Sequence, residues 1–133
     1  MTPKATLQAY FEAFNAGDID GMIGCLTEDV EHHVNQGEVR RGREAFRAFS
    51  EHMARCYRER IENLVTMVSD DGSRGAAEFT VHGAYLATDE GLPEARGQTY
   101  TLPAGTFFGF RDGRIARVTT CYNLKDWIAQ VSR

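Results

Sequence analysis

An α+β fold, helices first and a curved antiparallel sheet after, is what the sequence predicts, on three observations. Apolar residues recur at helical spacing in the first part of the chain, and beyond residue 60 they alternate at the period of a strand. The later segments are separated by short turns with no helix between them, so they form a meander and not βαβ units. One domain spanning 1–133 is expected, since single domains mostly run to about 100–150 residues.

Thr2-Pro3 is a helix start: a hydroxyl N-cap, then a proline whose fixed φ suits the first turn. Leu7, Tyr10, Phe11 and Phe14 mark one apolar face of that helix, and Gly17 ends it. Asp18 can cap a second helix, Ile19 to Leu26, which Gly21 and Gly24 weaken and packing must hold. Asp29 to Val34 reads as a short strand closed by a turn at Asn35-Gln36-Gly37. Phe46, Phe49, Met53 and Cys56/Tyr57 set a third helix over about 43–57, with Arg47–Glu51 and Glu51–Arg55 as i,i+4 pairs on its solvated face. Residues 61–69 and 75–88 are strands joined at Asp70-Asp71-Gly72, with Phe79 and Val81 on one face of the second. Residues 98–110 and 114–123 are two more, joined at Asp112-Gly113, the strongest short hairpin signal in the chain. Leu124 to Val131, carrying Trp127, makes one or two helical turns. A long twisted sheet curling round one long helix makes a half-open cone, with an apolar cavity at its mouth for a small molecule.

Composition excludes several function classes. Fifteen Lys and Arg against nineteen Asp and Glu leave a net charge of −4, which disfavours nucleic acid and anionic membranes as partners. The longest apolar run, Ala84 to Ala87, is too short for a membrane span or a signal peptide, so a soluble, cytoplasmic protein is expected. Cys25, Cys56 and Cys121 are odd in number and widely spaced, and read as inert buried thiols, not as a disulfide framework.

Gln8-Ala9-Tyr10, the run Phe14-Asn15-Ala16-Gly17-Asp18-Ile19-Asp20-Gly21, and Leu26-Thr27-Glu28-Asp29-Val30 resemble the opening of ketosteroid isomerases and SnoaL-like polyketide cyclases. These families belong to the nuclear-transport-factor-2-like superfamily of cone-shaped α+β folds. Gly42-Arg43-Glu44-Ala45-Phe46 and Phe107-Phe108-Gly109-Phe110-Arg111-Asp112-Gly113-Arg114-Ile115 extend the resemblance over nearly the whole chain. It implies the fold more strongly than the function, because the fold hosts isomerases, cyclases, dehydratases and proteins without known chemistry.

The resemblance places Tyr10 at the position of the tyrosine that holds an oxyanion in ketosteroid isomerases. It places Val34 where those enzymes carry their aspartate base, and Thr106 near both their oxyanion aspartic acid and the aspartate of SnoaL-like cyclases. Steroid isomerisation by the family's route therefore lacks its base. His32 shares a strand face with Val34 and can take its place, because an imidazole titrates near neutral pH. The same histidine can equally be a hydrogen-bonded part of the pocket wall. Glu31 and His33 take the other face, so His32-His33 is not a metal pair. His52 and His82 have no carboxylate at ligand spacing, so neither metal nor cofactor is expected.

Phe14 from the first helix, Phe49 and Met53 from the third, and Thr106 and Phe108 from the late strand are candidate ligand contacts. Val118, Thr120 and Tyr122 alternate on the last strand, on a face that the resemblance turns inward. Trp127 can lid the mouth or anchor the packing, and the loop Thr88 to Gly97 can fold over the mouth or stand exposed. Two classes of function remain. One is a cofactor-free enzyme moving protons on a small hydrophobic oxygenated molecule, of isomerase, cyclase or dehydratase type. The other is a non-catalytic binding or interaction protein on the same fold.

Glu78, Thr80 and His82 alternate against Phe79 and Val81 and so take the outer sheet face, where Phe107 joins them. That surface exceeds what the helices can cover, and a homodimer through it is expected. Light scattering that reported a 14.9 kDa monomer at micromolar concentration would overturn this.

Overall fold

Thr2 opens α1 (Pro3–Ala16) as the sequence predicts, its Oγ1 accepting from the Ala5 N–H at 3.2 Å. Gly17, at φ 69°, closes it in the left-handed conformation that suits glycine. The computed structural model describes residues 1–133. Asp18 caps α2 (Ile19–Gly24) through the Gly21 N–H at 2.9 Å. The second helix ends two residues sooner than expected, because Leu26 is drawn into β1 (Leu26–Val34) beside Ile115. Asn35 and Gln36, both at positive φ, turn the chain as predicted, and a two-residue strand not foreseen, β2 (Arg40–Arg41), pairs back on Glu31 and His32.

The third helix, α3 (Arg43–Cys56), carries Glu44 in its first turn and Arg55 in its last, both complementing the helix dipole. The ion pairs expected along it do not close. Arg47 turns instead to Asp20 on α2, at 2.7 Å, which ties the two helices together. The meander follows as β3 (Tyr57–Val68), β4 (Arg74–Tyr85), β5 (Thr99–Arg111) and β6 (Arg114–Tyr122), and α4 (Leu124–Val131) ends the chain. Asp112 and Gly113 are both left-handed, the conformation of a tight two-residue hairpin turn. No helix is long and apolar enough to cross a membrane.

The six strands form one sheet in the order β2-β1-β6-β5-β4-β3. The meander is antiparallel throughout, whereas β1 runs parallel to β6, a pairing that no hairpin dictates. Three register shifts bend the sheet: within β1–β6, at Asn63-Leu64 on β3, and at Ala116 on β6. The curved sheet wraps α1. Tyr10 and Phe11 meet Phe108 edge to face at 5.9 and 6.0 Å, and Phe11 meets Phe79 at 5.6 Å. Phe79 and Val81 are buried and Glu78 and His82 exposed, as the alternation predicts. Across the outer face Met67, Ala76 and Phe107 lie in one register row, with Met67 50% and Phe107 52% exposed.

One side chain staples the C-terminal end of α1 to the edge strand β3. Asn15 Nδ2 donates to the Ile61 carbonyl at 3.0 Å, and its Oδ1 accepts from the Ile61 N–H at 2.8 Å. Two such bonds contribute about 1–3 kcal/mol together. Asn15→Ala should lower the unfolding free energy by that amount in urea titration, with an unchanged denaturant slope.

Candidate functional site: the concave face of the sheet

Strand alternation assigns the interior. On β3 the inward row is Tyr57, Glu59 and Ile61; on β4 it is Phe79, Val81 and Tyr85; on β5 it is Tyr100, Leu102, Ala104, Thr106 and Phe108. The extra residue at Ala116 shifts the parity of β6, so that Val118, Thr120 and Tyr122 face inward opposite Phe108, Thr106 and Ala104. On β1, His32 and Val34 lie beside Val118 and Thr120. Phe108, Val118 and Thr106 are buried, while Thr120, Tyr122, Val34, Phe14, Phe49 and Met53 are only partly so.

At the α1 end sit the two residues singled out as catalytic candidates. The His32 ring is packed against Phe46 at 4.9 Å and edge-on to Phe49 at 4.7 Å, and the residue is 4% exposed. Its Nδ1 is buried without a hydrogen-bond partner. Burial, helped by the charges of Arg40 and His33, pushes its pKa down from 6.5 to about 4, so at neutral pH the ring is uncharged. The Arg40 guanidinium lies over the Phe49 ring at 4.5 Å and closes that flank. Tyr10 packs edge-on against Phe11 at 5.3 Å, and burial raises its phenol, which stays protonated.

At the α4 end lies a polar group that the sequence reading missed. Glu59 faces inward on β3 and accepts a short hydrogen bond from the Tyr100 hydroxyl. Burial raises its carboxyl above the usual range, against the lowering effect of that bond. Asp89, from the β4–β5 loop, accepts from the Tyr57 hydroxyl at 2.8 Å and pairs with His52 Nε2 at 2.8 Å. The Tyr85 hydroxyl accepts from the Asp89 N–H and donates to the Pro93 carbonyl, so the loop is folded onto the cone and not left free. Trp127 is 3% exposed and packs against Tyr57, Tyr85 and Tyr100 at 4.9–5.9 Å; it is an anchor that also closes this end. Tyr122 is raised by burial first, then by the charges of Glu59 and Asp89.

His52, Cys56 and Asp89 bring one donor atom each within 4.8 Å of one another, the group best suited to a divalent cation. The sequence shows no carboxylate at ligand spacing from His52, because its partner is thirty-seven residues away in a loop. His52, Asp89 and Tyr57 already satisfy each other, so the cluster is complete as a loop tether. Glu59 escaped notice for a related reason. Arg58 and Arg60 flank it and hide the alternation of Tyr57, Glu59 and Ile61, so the strand was expected to begin only at 61. Two depressions of about 320 and 420 Å³ open on the surface near Met67–Gly75 and near Asp29, Arg74 and Arg117, away from all these residues.

The chain belongs to the SnoaL-like domain family, whose model matches residues 7–118. A solved candidate polyketide cyclase from Pseudomonas putida KT2440 is 59% identical, with a TM-score of 0.96 and 98% of each chain covered. Another from Silicibacter sp. TM1040 is 60% identical, with a TM-score of 0.96, covering 98% of this chain and 96% of its own. The fold alone is shared with a nuclear-transport-factor-2-like protein of unknown function from Burkholderia pseudomallei K96243, at 19% identity, a TM-score of 0.83 and 98% of each chain. Among curated proteins none matches.

The buried imidazole makes stability pH-dependent. With a pKa of about 4 folded and 6.5 unfolded, His32 binds its proton more readily in the unfolded chain. Its contribution is fully present above pH 6.5 and is lost as the pH falls from there through 4, by about 3 kcal/mol at about 1.4 kcal/mol per unit. Urea titrations of wild type and His32→Gln between those limits should differ by that slope; parallel curves would show that the ring is not desolvated.

Proposed function

We propose that the protein is an acid–base catalyst for a small hydrophobic oxygenated molecule, of the cyclase, isomerase or dehydratase type, bound on the concave face. The observation that carries this reading is the His32 Nδ1, buried, unpartnered, and set on the same inward face as the apolar lining. A buried polar atom without a partner is costly, and a ligand oxygen is a natural one. Close relatives described as candidate polyketide cyclases support the substrate class.

With its pKa held near 4, His32 is a weak base and a neutral hydrogen-bonding group. Tyr10, kept protonated by burial, is a neutral donor as well. Both suit the stabilisation of negative charge developing on a carbonyl oxygen, where a donor works without itself ionising. Proton transfer beside a carbonyl needs, in addition, a group that gains and loses a proton. Binding without turnover is the second reading, favoured by Val34 and Thr106, neither of which can exchange a proton. The row of Met67, Ala76 and Phe107 supports pairing of two chains through the outer face.

The single Trp127 closes the α4 end and serves as a reporter. 2-Naphthol, an apolar phenol, should quench its fluorescence saturably. Tyr10→Phe and His32→Gln should each weaken that binding about two- to tenfold, the loss of one neutral hydrogen bond. Quenching that never saturates would count against the interior as a ligand site.

A further inference from the structure

We propose that Glu59 is the residue that carries the proton in this interior, with its Oε2 held by Tyr100 and its Oε1 open to the ligand; this rests on the function proposed above. The first support is placement. Arg58 and Arg60 point outward, Arg60 to Glu62 at 3.2 Å, so Glu59 faces the concave side alone between Tyr57 and Ile61. The residue opposite on β4 is Gly83, and opposite that on β5 is Tyr100. A Cβ on Gly83 would stand 2.2 Å from the Tyr100 ring. The missing side chain is what lets that ring lie across the strand and its hydroxyl reach Glu59.

The second support is what Glu59 lacks. Inward carboxylates kept for structure are paired with a cation. The groups that act on Glu59 are the phenol of Tyr100 from β5 and, facing it from β6, that of Tyr122; Tyr57 lies on its own strand, Asp89 in the loop after β4 is of like charge, and His52 of α3 is taken up by Asp89. No cation is among them. Only one oxygen, Oε2, takes a hydrogen bond from the chain, and Oε1 takes none. Such a carboxyl is costly as structure and useful as chemistry. Burial moves its titration toward neutral pH, where a carboxylate is a more effective base.

In the reaction this implies, a C–H or O–H bond of the ligand breaks, its electron pair stays on the ligand, and the proton goes to Oε1. The same oxygen returns the proton to another ligand atom, so no co-reactant is needed. Tyr100 keeps its own proton and is a positioning residue.

The base can be tested without the natural substrate, using 5-nitrobenzisoxazole as the probe. A base removes its ring C–H proton, those electrons form a nitrile, the N–O bond breaks, and its pair leaves as a coloured phenolate. The full-length protein should catalyse this saturably, with a rate rising with pH through a single titration. Glu59→Gln should lower the rate at least about a hundredfold, the low end of what a general base contributes, and Glu59→Asp should retain part of it. Tyr100→Phe removes a donor to the carboxylate, so the midpoint of its pH–rate profile should move upward. A wild-type rate no greater than that of acetate at equal concentration overturns the assignment, as does a rate unchanged in a folded Glu59→Gln or a midpoint unmoved in Tyr100→Phe. 2-Naphthol binding, measured on the same samples, judges the interior as a ligand site separately: binding with no Glu59-dependent rate sinks this inference alone.

Discussion

The contact of Tyr10 and Phe11 with Phe79 and Phe108 is the constraint on which the remaining structure depends. A twisted sheet of long strands has two faces to cover and only one long helix near its centre. Burying each of these rings contributes about 1.5–3 kcal/mol, and the sheet must curl for both strands to meet α1 at once. The curl turns the alternate residues of β3, β5 and β6 toward one another. The candidate residues on those strands are inward because of that geometry, not because of a local preference of their own.

Much of this was legible in the sequence, and for identifiable reasons. The Thr2-Pro3 start, the aromatic stripe of α1 and the Asp112-Gly113 turn are local signals whose physics acts within a few residues. The inward row of β6 was placed through the family resemblance, and the structure turns that same row inward. What was hidden is non-local. Glu59 looks like one charge in a run of charges until Gly83 and Tyr100 are set beside it. Asp89 is one acidic residue in a polar loop until Tyr57 and His52 hold it. The parallel pairing of β1 with β6 joins segments some eighty residues apart, and no turn announces it.

The two ends of the interior differ in electrostatic character. At the α1 end burial strips charge, keeping His32 neutral and Tyr10 protonated, and leaves hydrogen-bonding atoms without partners. At the α4 end Glu59 meets a phenol and no cation, while Asp89 is held by the Tyr57 hydroxyl and His52. One end is suited to accommodating charge that forms on a ligand and the other to exchanging a proton. That division resembles the separation of roles by which environment, more than residue type, distinguishes acid from base.

The extra residue at Ala116 has a further implication. It decides which half of the last strand is indoors. If the same residues ran on from Ile115 as a regular strand with no bulge, strict alternation would send Thr120 and Tyr122 to the exterior and bring Thr119 and Cys121 in their place. A phenol and a hydroxyl would give way to a hydroxyl and a thiol without any side chain being replaced. The chemistry lining this wall is thus encoded by where the strand bulges as much as by the identities of its residues, and a lineage could retool it by losing or moving that bulge.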